Sequence, residues 1–353
     1  MPIYAVWNNK GGVGKSYLTF QIACEYARIH QDQSILVLDL CPQANASGML
    51  LGGMIEGEKK LCELGSQNPP KTIAGYVEDR IRSPYVNPRS GASYLINANQ
   101  LNSHIPRNLY LVAGDEQLEI QSWRVLNATS PGPTDAWRIV HTWISDLIED
   151  IRYSLNQDKL TVFIDCNPSF SIYTELVMSA SDRLIIPFSA DGSSKRAVRT
   201  VLALLYGVTR RPGMQQSQFH LNSQRFRLSV PQIYCYVGNR LTQYVKSARA
   251  FRTVVQKIGN EILGVWQGNS NVFCIHPTGT SVPNGENSFR EMFQFEVRDA
   301  NTASVVSSAL GIPIVLLTAG EYVVIPEEKP SRVNQSQLDE LQPNMKQLVL
   351  TIE

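Results

Sequence analysis

The 353-residue sequence lacks the features of several common protein classes. Its six cysteines are scattered and form no C-x-x-C pair, which argues against a zinc ribbon or a disulfide framework. No apolar run reaches the length of a membrane span. Lysine and arginine together number 32 against 31 acidic residues, so binding to nucleic acid would need a local basic patch. These absences favour a cytoplasmic protein with no membrane association.

The two ends of the chain also lack recognisable signals. The N-terminus enters the first predicted strand directly, so we expect neither a signal peptide nor a helix-turn-helix before it. The tail from Glu327 onward is polar and lacks the basic amphipathic helix of a membrane anchor. We expect residues 1–326 to form a single domain, with variable insertions at about 49–107 and 264–287, and residues 327–353 to form a polar C-terminal tail.

A glycine-rich loop close to the N-terminus is the most informative feature. Residues 9–16 read Asn-Lys-Gly-Gly-Val-Gly-Lys-Ser, between an apolar, β-prone run at 3–7 and a segment of helical apolar spacing at 17–27. The loop lacks the G-x-G-x-x-G pattern of a dinucleotide site, and Gly-Lys-Ser is typical of a loop that holds a triphosphate and a metal. The other interpretation is a glycine-rich turn with two surface lysines. The residues of this segment expected to bind the nucleotide cofactor are Lys10, Gly11, Gly12, Val13, Gly14, Lys15, Ser16 and Tyr17.

Each part of this loop has a physical reason to bind phosphate. Glycines adopt φ > 0 and bring backbone N–H groups close to phosphate oxygens. The N-terminus of the following helix adds a partial positive charge at the same place. We expect Lys15 to reach the β- and γ-phosphates of ATP and the Ser16 hydroxyl to bind Mg²⁺.

Two further apolar runs end in carboxylates. Residues 35–38 precede Asp39, and residues 159–164 precede Asp165. Both runs read as buried strands, which predicts an α/β fold with a mostly parallel twisted sheet and helices on both faces. Ligands bind such a sheet at the carboxyl ends of its strands. We therefore expect Asp39 and Asp165 near the metal, directly or through water, with Asp165 as the Walker-B carboxylate.

These segments together resemble a known family. The segment Lys10-Gly-Gly-Val-Gly-Lys15-Ser16, with Asp39-x-x-Pro42-Gln43-x-Asn45, is similar to the ParA/Soj/MinD group of deviant Walker-A ATPases, and the resemblance extends in patches over residues 2–317. It implies a P-loop NTPase fold, ATP and Mg²⁺ as cofactors, and a homodimer with ATP sandwiched between the subunits. In the family the early lysine, here Lys10, reaches the nucleotide of the other subunit. The resemblance thus implies catalytic roles for Lys10, Lys15 and Asp39.

One position departs from the family pattern. The family usually has Asp-x-Asp-Pro-Gln after the second strand, whereas this chain has Asp39-Leu40-Cys41-Pro42-Gln43. The second carboxylate helps to position the attacking water, and a neutral thiol cannot replace it electrostatically. Loss of such a group costs about two to four orders of magnitude in rate. We expect tight ATP binding with slow hydrolysis unless a partner supplies the missing group; the alternative is that another carboxylate stands in.

The resemblance also implies contacts further along the chain. In the family an asparagine after a later strand hydrogen-bonds adenine, and Asn239 holds that place here, although it could be a turn asparagine. A helix predicted from Leu241 to about Ile262 carries a basic stripe where related proteins contact DNA. Such a stripe would neutralise a few phosphates without sequence preference, although a charged stripe is usually only a solvated face. The expected DNA-binding residues are Lys246, Arg249 and Arg252.

The implied function is a ParA-like, ATP-dependent dimeric switch. It would bind DNA non-specifically, associate with the nucleoid in the cytoplasm, and position DNA or another cargo with a ParB-like partner. The first alternative is a scaffold or sensor that binds ATP without useful turnover. The second is a metabolic enzyme of the same superfamily, such as an amide-forming synthetase, whose substrate residues are not visible in the sequence.

Overall fold

The structure is a computed structural model of the whole chain. It describes residues 1–156, 159–189, 191, 193–209, 215–241, 245–298 and 301–353. The side chains of residues 240–251 lie outside this description.

An eight-stranded sheet forms the centre of the molecule. Its strands are β1 (Ile3–Val6), β2 (Ser34–Leu40), β3 (Ile96–Asn97), β4 (Leu109–Val112), β5 (Leu160–Cys166), β6 (Arg183–Phe188), β7 (Gln232–Leu241) and β8 (Gln294–Arg298). They lie in the order β3-β4-β2-β5-β1-β6-β7-β8. Every neighbouring pair in it is parallel except β3 with β4, which is antiparallel. A separate antiparallel pair joins β9 (Gly320–Tyr322) and β10 (Ser331–Val333).

Helices cover both faces of this sheet, as expected for a parallel sheet whose connections are helical. Among the described residues, no helix is long and apolar enough to cross a bilayer. The helices are α1 (Lys15–Ile29), α2 (Asn45–Leu51), α3 (Gly53–Gly65), α4 (Ile73–Arg82), α5 (Gln117–Ala128), α6 (Ala136–His141), α7 (Trp143–Leu155), α8 (Ile172–Ala180), α9 (Ser194–Tyr206), α10 (Gln218–Phe226), α11 (Val245–Gly268), α12 (Glu286–Phe293), α13 (Asn301–Leu310) and α14 (Gln335–Leu350).

The central strands are buried along their whole length, which explains their nearly continuous apolar sequences. All seven residues of β2 and all seven of β5 are buried. Alternate side chains serve two cores: Val162 and Ile164 pack on one face of β5, and Phe163 packs on the other. The predicted α/β fold with a mostly parallel sheet is confirmed.

The polar C-terminal segment is folded against the domain. Residues 327–353 include β10 and α14, and α14 packs against α1 and β8. Its buried side chains recur at helical spacing, which is how a segment of polar composition can contribute one apolar stripe to the core. The buried residues of this segment are Val333, Leu338, Leu341, Met345, Leu348, Val349 and Ile352.

The packing of α14 predicts a matched pair of mutants. Leu348 is fully buried, whereas Leu350 is 62% exposed. Leu348→Ala should lower the free energy of unfolding by about 2–5 kcal/mol because it removes buried methyl groups and leaves a cavity. Leu350→Ala should change it by less than about 0.5 kcal/mol. Urea unfolding followed by circular dichroism measures both, and equal small effects would show that α14 does not contribute to the core.

Candidate functional site

The glycine loop connects β1 to α1 at the carboxyl edge of the sheet. Gly12 and Gly14 have φ of 73° and 82°, a left-handed conformation that glycine adopts without strain. A Cβ built on Gly11 or Gly12 would meet no atom within 4 Å, so the surface of the loop is open. Helix α1 begins at Lys15, directly after Gly14. The loop therefore offers backbone N–H groups and a helix N-terminus to a ligand, as a phosphate site requires.

The ammonium group of Lys15 lies inside this loop. Its Nζ donates a hydrogen bond of 2.8 Å to the Lys10 carbonyl oxygen. Burial lowers the pKa of Lys15, and the nearby Asp165 carboxylate acts against that effect. Lys15 is thus a buried cation at the base of an open loop, well placed to meet an anion.

Asp165, at the end of β5, is a buried carboxylate with one oxygen unused. Its Oδ1 accepts a hydrogen bond of 3.4 Å from Thr19, and Ser16 also bonds to the carboxyl group. Its Oδ2 is buried and has no hydrogen-bond partner among the described residues. Burial, followed by repulsion from Asp39, raises the pKa of Asp165 to about 8. A hard cation beside Ser16 would satisfy the free oxygen, so the residues present fit Mg²⁺.

Asp39, at the end of β2, uses both oxygens within its own loop. Its Oδ1 accepts from the Cys41 backbone N–H at 3.0 Å, and its Oδ2 accepts from the Ser47 N–H at 2.9 Å and the Ser47 hydroxyl at 2.8 Å. Burial raises the pKa of Asp39 even though these hydrogen bonds favour its ionised form. Asp39 lies beside Asp165 in the β2–β5 pairing. In this structure Asp39 therefore holds the loop that follows β2, and Asp165 has the free oxygen.

Cys41 and Cys166 line the same cavity as the glycine loop. Both side chains are buried. Burial raises the pKa of Cys41 to about 12, and the carboxylates of Asp39 and Asp165 act in the same direction. Burial likewise raises the pKa of Cys166. Both thiols are therefore neutral at pH 7, and Cys41 offers no negative charge to a water molecule.

Asn239 contacts the glycine loop itself. Its Nδ2 donates a hydrogen bond of 3.0 Å to the Val13 carbonyl oxygen. A Cβ built on Gly14 would lie 2.0 Å from that same Nδ2, so a side chain at position 14 would displace Asn239. Its Oδ1 is buried and has no partner among the described residues. Asn239, which we expected at adenine, thus supports the backbone of the loop here and retains one free acceptor.

Lys10 makes its polar contacts within its own chain. Its Nζ forms an ion pair with Asp191 and donates to the hydroxyls of Ser189 at 3.1 Å and Ser194 at 3.3 Å. Although partial burial acts to raise it, hydrogen bonds from Lys10, Ser189 and Ser193 hold the pKa of Asp191 well below its usual value. The lysine expected to cross a dimer is therefore held by the segment that follows β6.

A cavity of about 680 Å³ opens over the glycine loop. One end is formed by the loop, Ser16, Tyr17 and the two cysteines. The other end lies between α3 and α13, with Met54 and Val305 among its lining residues. Helix α3 comes from the predicted insertion at 49–107, and a Cβ on its Gly53 would lie 2.1 Å from the Ala309 carbonyl oxygen. This close packing of α3 against α13 closes one side of the cavity.

The expected DNA-binding residues are only partly described. The side chains of Lys246 and Arg249 lie outside the described residues, and Arg252 is exposed on α11. Two basic residues of the neighbouring α9, Lys195 and Arg199, both pair with Glu261 of α11. Because Glu261 neutralises part of their charge, these two residues of α9 add less positive charge to the basic stripe of α11.

Several residues that shape the site did not stand out in the sequence. Thr19 lies one helical turn after Lys15, so helical periodicity indicates that both lie on the same side of α1, which is the side of Asp165. Ser47, Ser189 and Asp191 carry no motif; Ser47 lies in the segment after β2, and Ser189 and Asp191 lie in the segment after β6. Trp7 holds the loop after β5 through a 3.0 Å hydrogen bond from Nε1 to the Asn167 carbonyl oxygen, and no local pattern indicates that contact.

Solved structures with the same fold include two of McdA from Cyanothece. The apo structure of McdA has 13% identity and a TM-score of 0.54, over 88% of this chain and 91% of that chain. An ATP complex of a McdA variant has 14% identity and a TM-score of 0.56, over 100% of this chain and 97% of that chain. A putative plasmid partition protein from Borrelia burgdorferi bound to AMPPNP has 17% identity and a TM-score of 0.47, over 78% and 92% of the two chains.

Comparison at the sequence level identifies the family. A search of curated proteins finds no relative of this chain. A family model described as an AAA domain matches residues 1–217, which is more than half of the chain and includes β1 to β6 with the glycine loop. The resemblance to ParA/MinD-like proteins predicted from the sequence is thus confirmed, and the chain belongs to the AAA-domain family.

Proposed function

We propose that this protein binds ATP with Mg²⁺ and acts as a ParA-like, ATP-dependent dimeric switch with slow hydrolysis. The observation that carries the proposal is the open glycine loop at the start of α1, beside Ser16 and Asp165, whose Oδ2 has no partner in the described ranges. The loop and Lys15 would bind the triphosphate, and Ser16 and Asp165 would hold the metal. Asp39 would orient the loop that follows β2.

The shape of the cavity supports a nucleotide rather than a bare phosphate. It continues from the loop past Tyr17 to the space between α3 and α13. Met54 and Val305 give that end apolar surface suited to a base, beside the polar Glu58 and Ser308, whereas Lys15 and Ser16 line the loop end. The McdA variant of the same fold was solved as an ATP complex, which agrees with this assignment.

The cargo function rests on the family resemblance. We propose that it includes non-specific binding of DNA by Lys246, Arg249 and Arg252, and a ParB-like partner that stimulates hydrolysis. The exposure of Arg252 is compatible with contact to phosphates. A non-hydrolysing scaffold is the second candidate, and the neutral Cys41 favours it, because no carboxylate occupies the usual water-positioning place.

The nucleotide assignment predicts that Lys15 is essential for affinity. Lys15→Ala should weaken ATP binding at least about a hundredfold, because it removes a buried charge from the phosphates. Lys159→Ala is the matched control, since Lys159 is an exposed lysine paired with Asp32. Titration calorimetry with ATP and Mg²⁺ measures both variants. Unchanged binding by a folded Lys15→Ala variant would refute a phosphate site at this loop.

The departure at Cys41 predicts the direction of a gain-of-function substitution. Cys41→Asp should raise steady-state phosphate release by about 10²–10⁴, because it restores a carboxylate beside the attacking water. The control is Cys62→Asp at an exposed cysteine of α3, which should leave the rate unchanged. If the native rate is already ordinary for such ATPases and Cys41→Asp does not raise it, another group positions the attacking water.

The contacts of Lys10 predict opposite effects of two substitutions on dimerisation. For Lys10 to reach a second subunit, it must leave Asp191, Ser189 and Ser194. Lys10→Ala should abolish the ATP-dependent dimer, whereas Asp191→Asn should promote it by about 2–5-fold, the weight of a half-exposed ion pair. Light scattering with ATP and with ADP measures the dimer fraction, with Asp32→Asn as the control. A weaker dimer in Asp191→Asn would mean that the ion pair supports the active form.

A further inference from the structure

The indole of Trp7 lies where the chain leaves β1 and enters the glycine loop. Strand β1 ends at Val6, and the Trp7 backbone N–H continues the contact with β6 by donating to the Ile185 carbonyl oxygen at 3.0 Å. The side chain of Trp7 is fully buried. Trp7 precedes Lys10 by only three residues, so the positions of the indole and of the glycine loop are tied together.

This indole contacts both ends of the short segment that follows β5, residues 167–170, here called the β5 loop. The Trp7 Nε1 donates a hydrogen bond of 3.0 Å to the Asn167 carbonyl oxygen, one residue after β5 ends at Cys166. The Trp7 ring also packs against Phe170, with 5.4 Å between the ring centroids. A single side chain therefore spans the β5 loop and contacts its main chain at one end and its aromatic ring at the other.

Two further contacts hold the β5 loop from the side of the helices. The Thr174 hydroxyl of α8 donates to the Ser169 carbonyl oxygen at 2.8 Å. Phe219 of α10 packs edge-on against Phe170, with 5.6 Å between the ring centroids. Among Trp7, Thr174 and Phe219, only Trp7 belongs to the segment that leads into the glycine loop. Its contacts therefore join the β5 loop to the glycine loop.

The β5 loop lies at the metal end of the cavity. Pro168 lines the cavity and follows Asp165, the proposed metal ligand, by three residues. The opposite end, with Met54 and Val305, is formed by α3 and α13. In P-loop sites the metal ion bridges the β- and γ-phosphates. A bound triphosphate would therefore bring its γ-phosphate, and not its base, beside the β5 loop.

We propose that Trp7 is a positioning residue for the hydrolytic step, because it holds the β5 loop in register with the glycine loop. The indole N–H gives this hold its direction, since a buried N–H needs an acceptor and the Asn167 carbonyl oxygen is the one it meets. Misplacement of a group by about 1 Å can lower a rate by about a hundredfold. The effect on the rate rests on the proposed ATPase function, whereas the hold on the β5 loop does not.

Two tryptophan substitutions in the full-length protein test the hold. Trp7→Phe removes the indole N–H and keeps a ring in the core. Trp143→Phe is the matched control, since Trp143 is also fully buried and its Nε1 also donates at 3.0 Å, to the Pro84 carbonyl oxygen. Neither Trp143 nor Pro84 is among the described residues that line the cavity. Without ATP, the amides of residues 167–171 should exchange hydrogen at least about threefold faster in Trp7→Phe and at the native rate in Trp143→Phe, as mass spectrometry measures.

A second pair of measurements separates turnover from affinity. Single-turnover phosphate release from radiolabelled ATP should be at least about tenfold slower in Trp7→Phe than in the native protein. The Kd for ATP, measured by calorimetry, should stay within about threefold, because Lys15 and the glycine loop hold the phosphates in the ground state. Trp143→Phe should match the native protein in both measurements.

The outcomes distinguish this role from general loosening of the fold. Unchanged exchange of residues 167–171 in a folded Trp7→Phe variant overturns the hold. Equal loss of rate in both tryptophan variants, or a Kd that rises as much as the rate falls, overturns the positioning role. A native protein that binds ATP and releases no phosphate refutes the ATPase function and the effect on its rate, whereas faster exchange in Trp7→Phe still supports the hold.

A second replacement covers the case in which Trp7→Phe does not fold. The isostere 3-benzothienylalanine, introduced at position 7, has sulfur in place of the indole N–H and keeps both rings. It should give the same faster exchange and the same slower phosphate release as Trp7→Phe, because it removes only the donor to the Asn167 carbonyl oxygen. Native exchange and a native rate in this variant would overturn the role of the indole N–H.

Discussion

The parallel pairing of β5 with β2 on one side and β1 on the other is the constraint on which the site depends. It aligns Asp39 with Asp165 and places the loop after β1 next to both. All three strands are buried, so their order cannot change without exposing a large apolar surface. The position of the phosphate loop relative to the carboxylates is therefore a consequence of sheet order.

This arrangement concentrates charge in a buried place. Asp39 and Asp165 repel one another, and burial raises the pKa of each. Lys15 is the nearby cation, but its Nζ bonds to the Lys10 carbonyl oxygen, and one oxygen of Asp165 has no partner within the part of the chain that the structure describes. A metal ion with bound phosphate would supply the positive and negative charges that complete this set. The site is thus electrostatically suited to ligand binding, at a cost to the stability of the unliganded fold.

Asn239 and Lys10 both make contacts at the glycine loop, and these contacts differ in how firmly they are held. Asn239 is buried and bonds to the Val13 carbonyl oxygen, so it supports the loop from within the domain. The ion pair between Lys10 and Asp191 is partly exposed, with side chains 22% and 47% accessible, and can exchange for another partner at low cost. The loop can therefore stay fixed while Lys10 changes its contacts, as the proposed nucleotide-dependent switch requires.

The glycine loop, the α/β class and the two strands that carry Asp39 and Asp165 near their carboxyl ends could be predicted from the sequence, because each depends on local spacing and strand periodicity. Three contacts emerge only in the folded chain: Lys10 pairs with Asp191, Asn239 bonds to Val13, and α14 packs into the core. The first two contacts join residues 181 and 226 positions apart. No local pattern encodes such pairs, because they depend on how the strands are ordered and on which helix faces pack together. For the same reason, the polar composition of residues 327–353 does not reveal that α14 packs a buried stripe against α1.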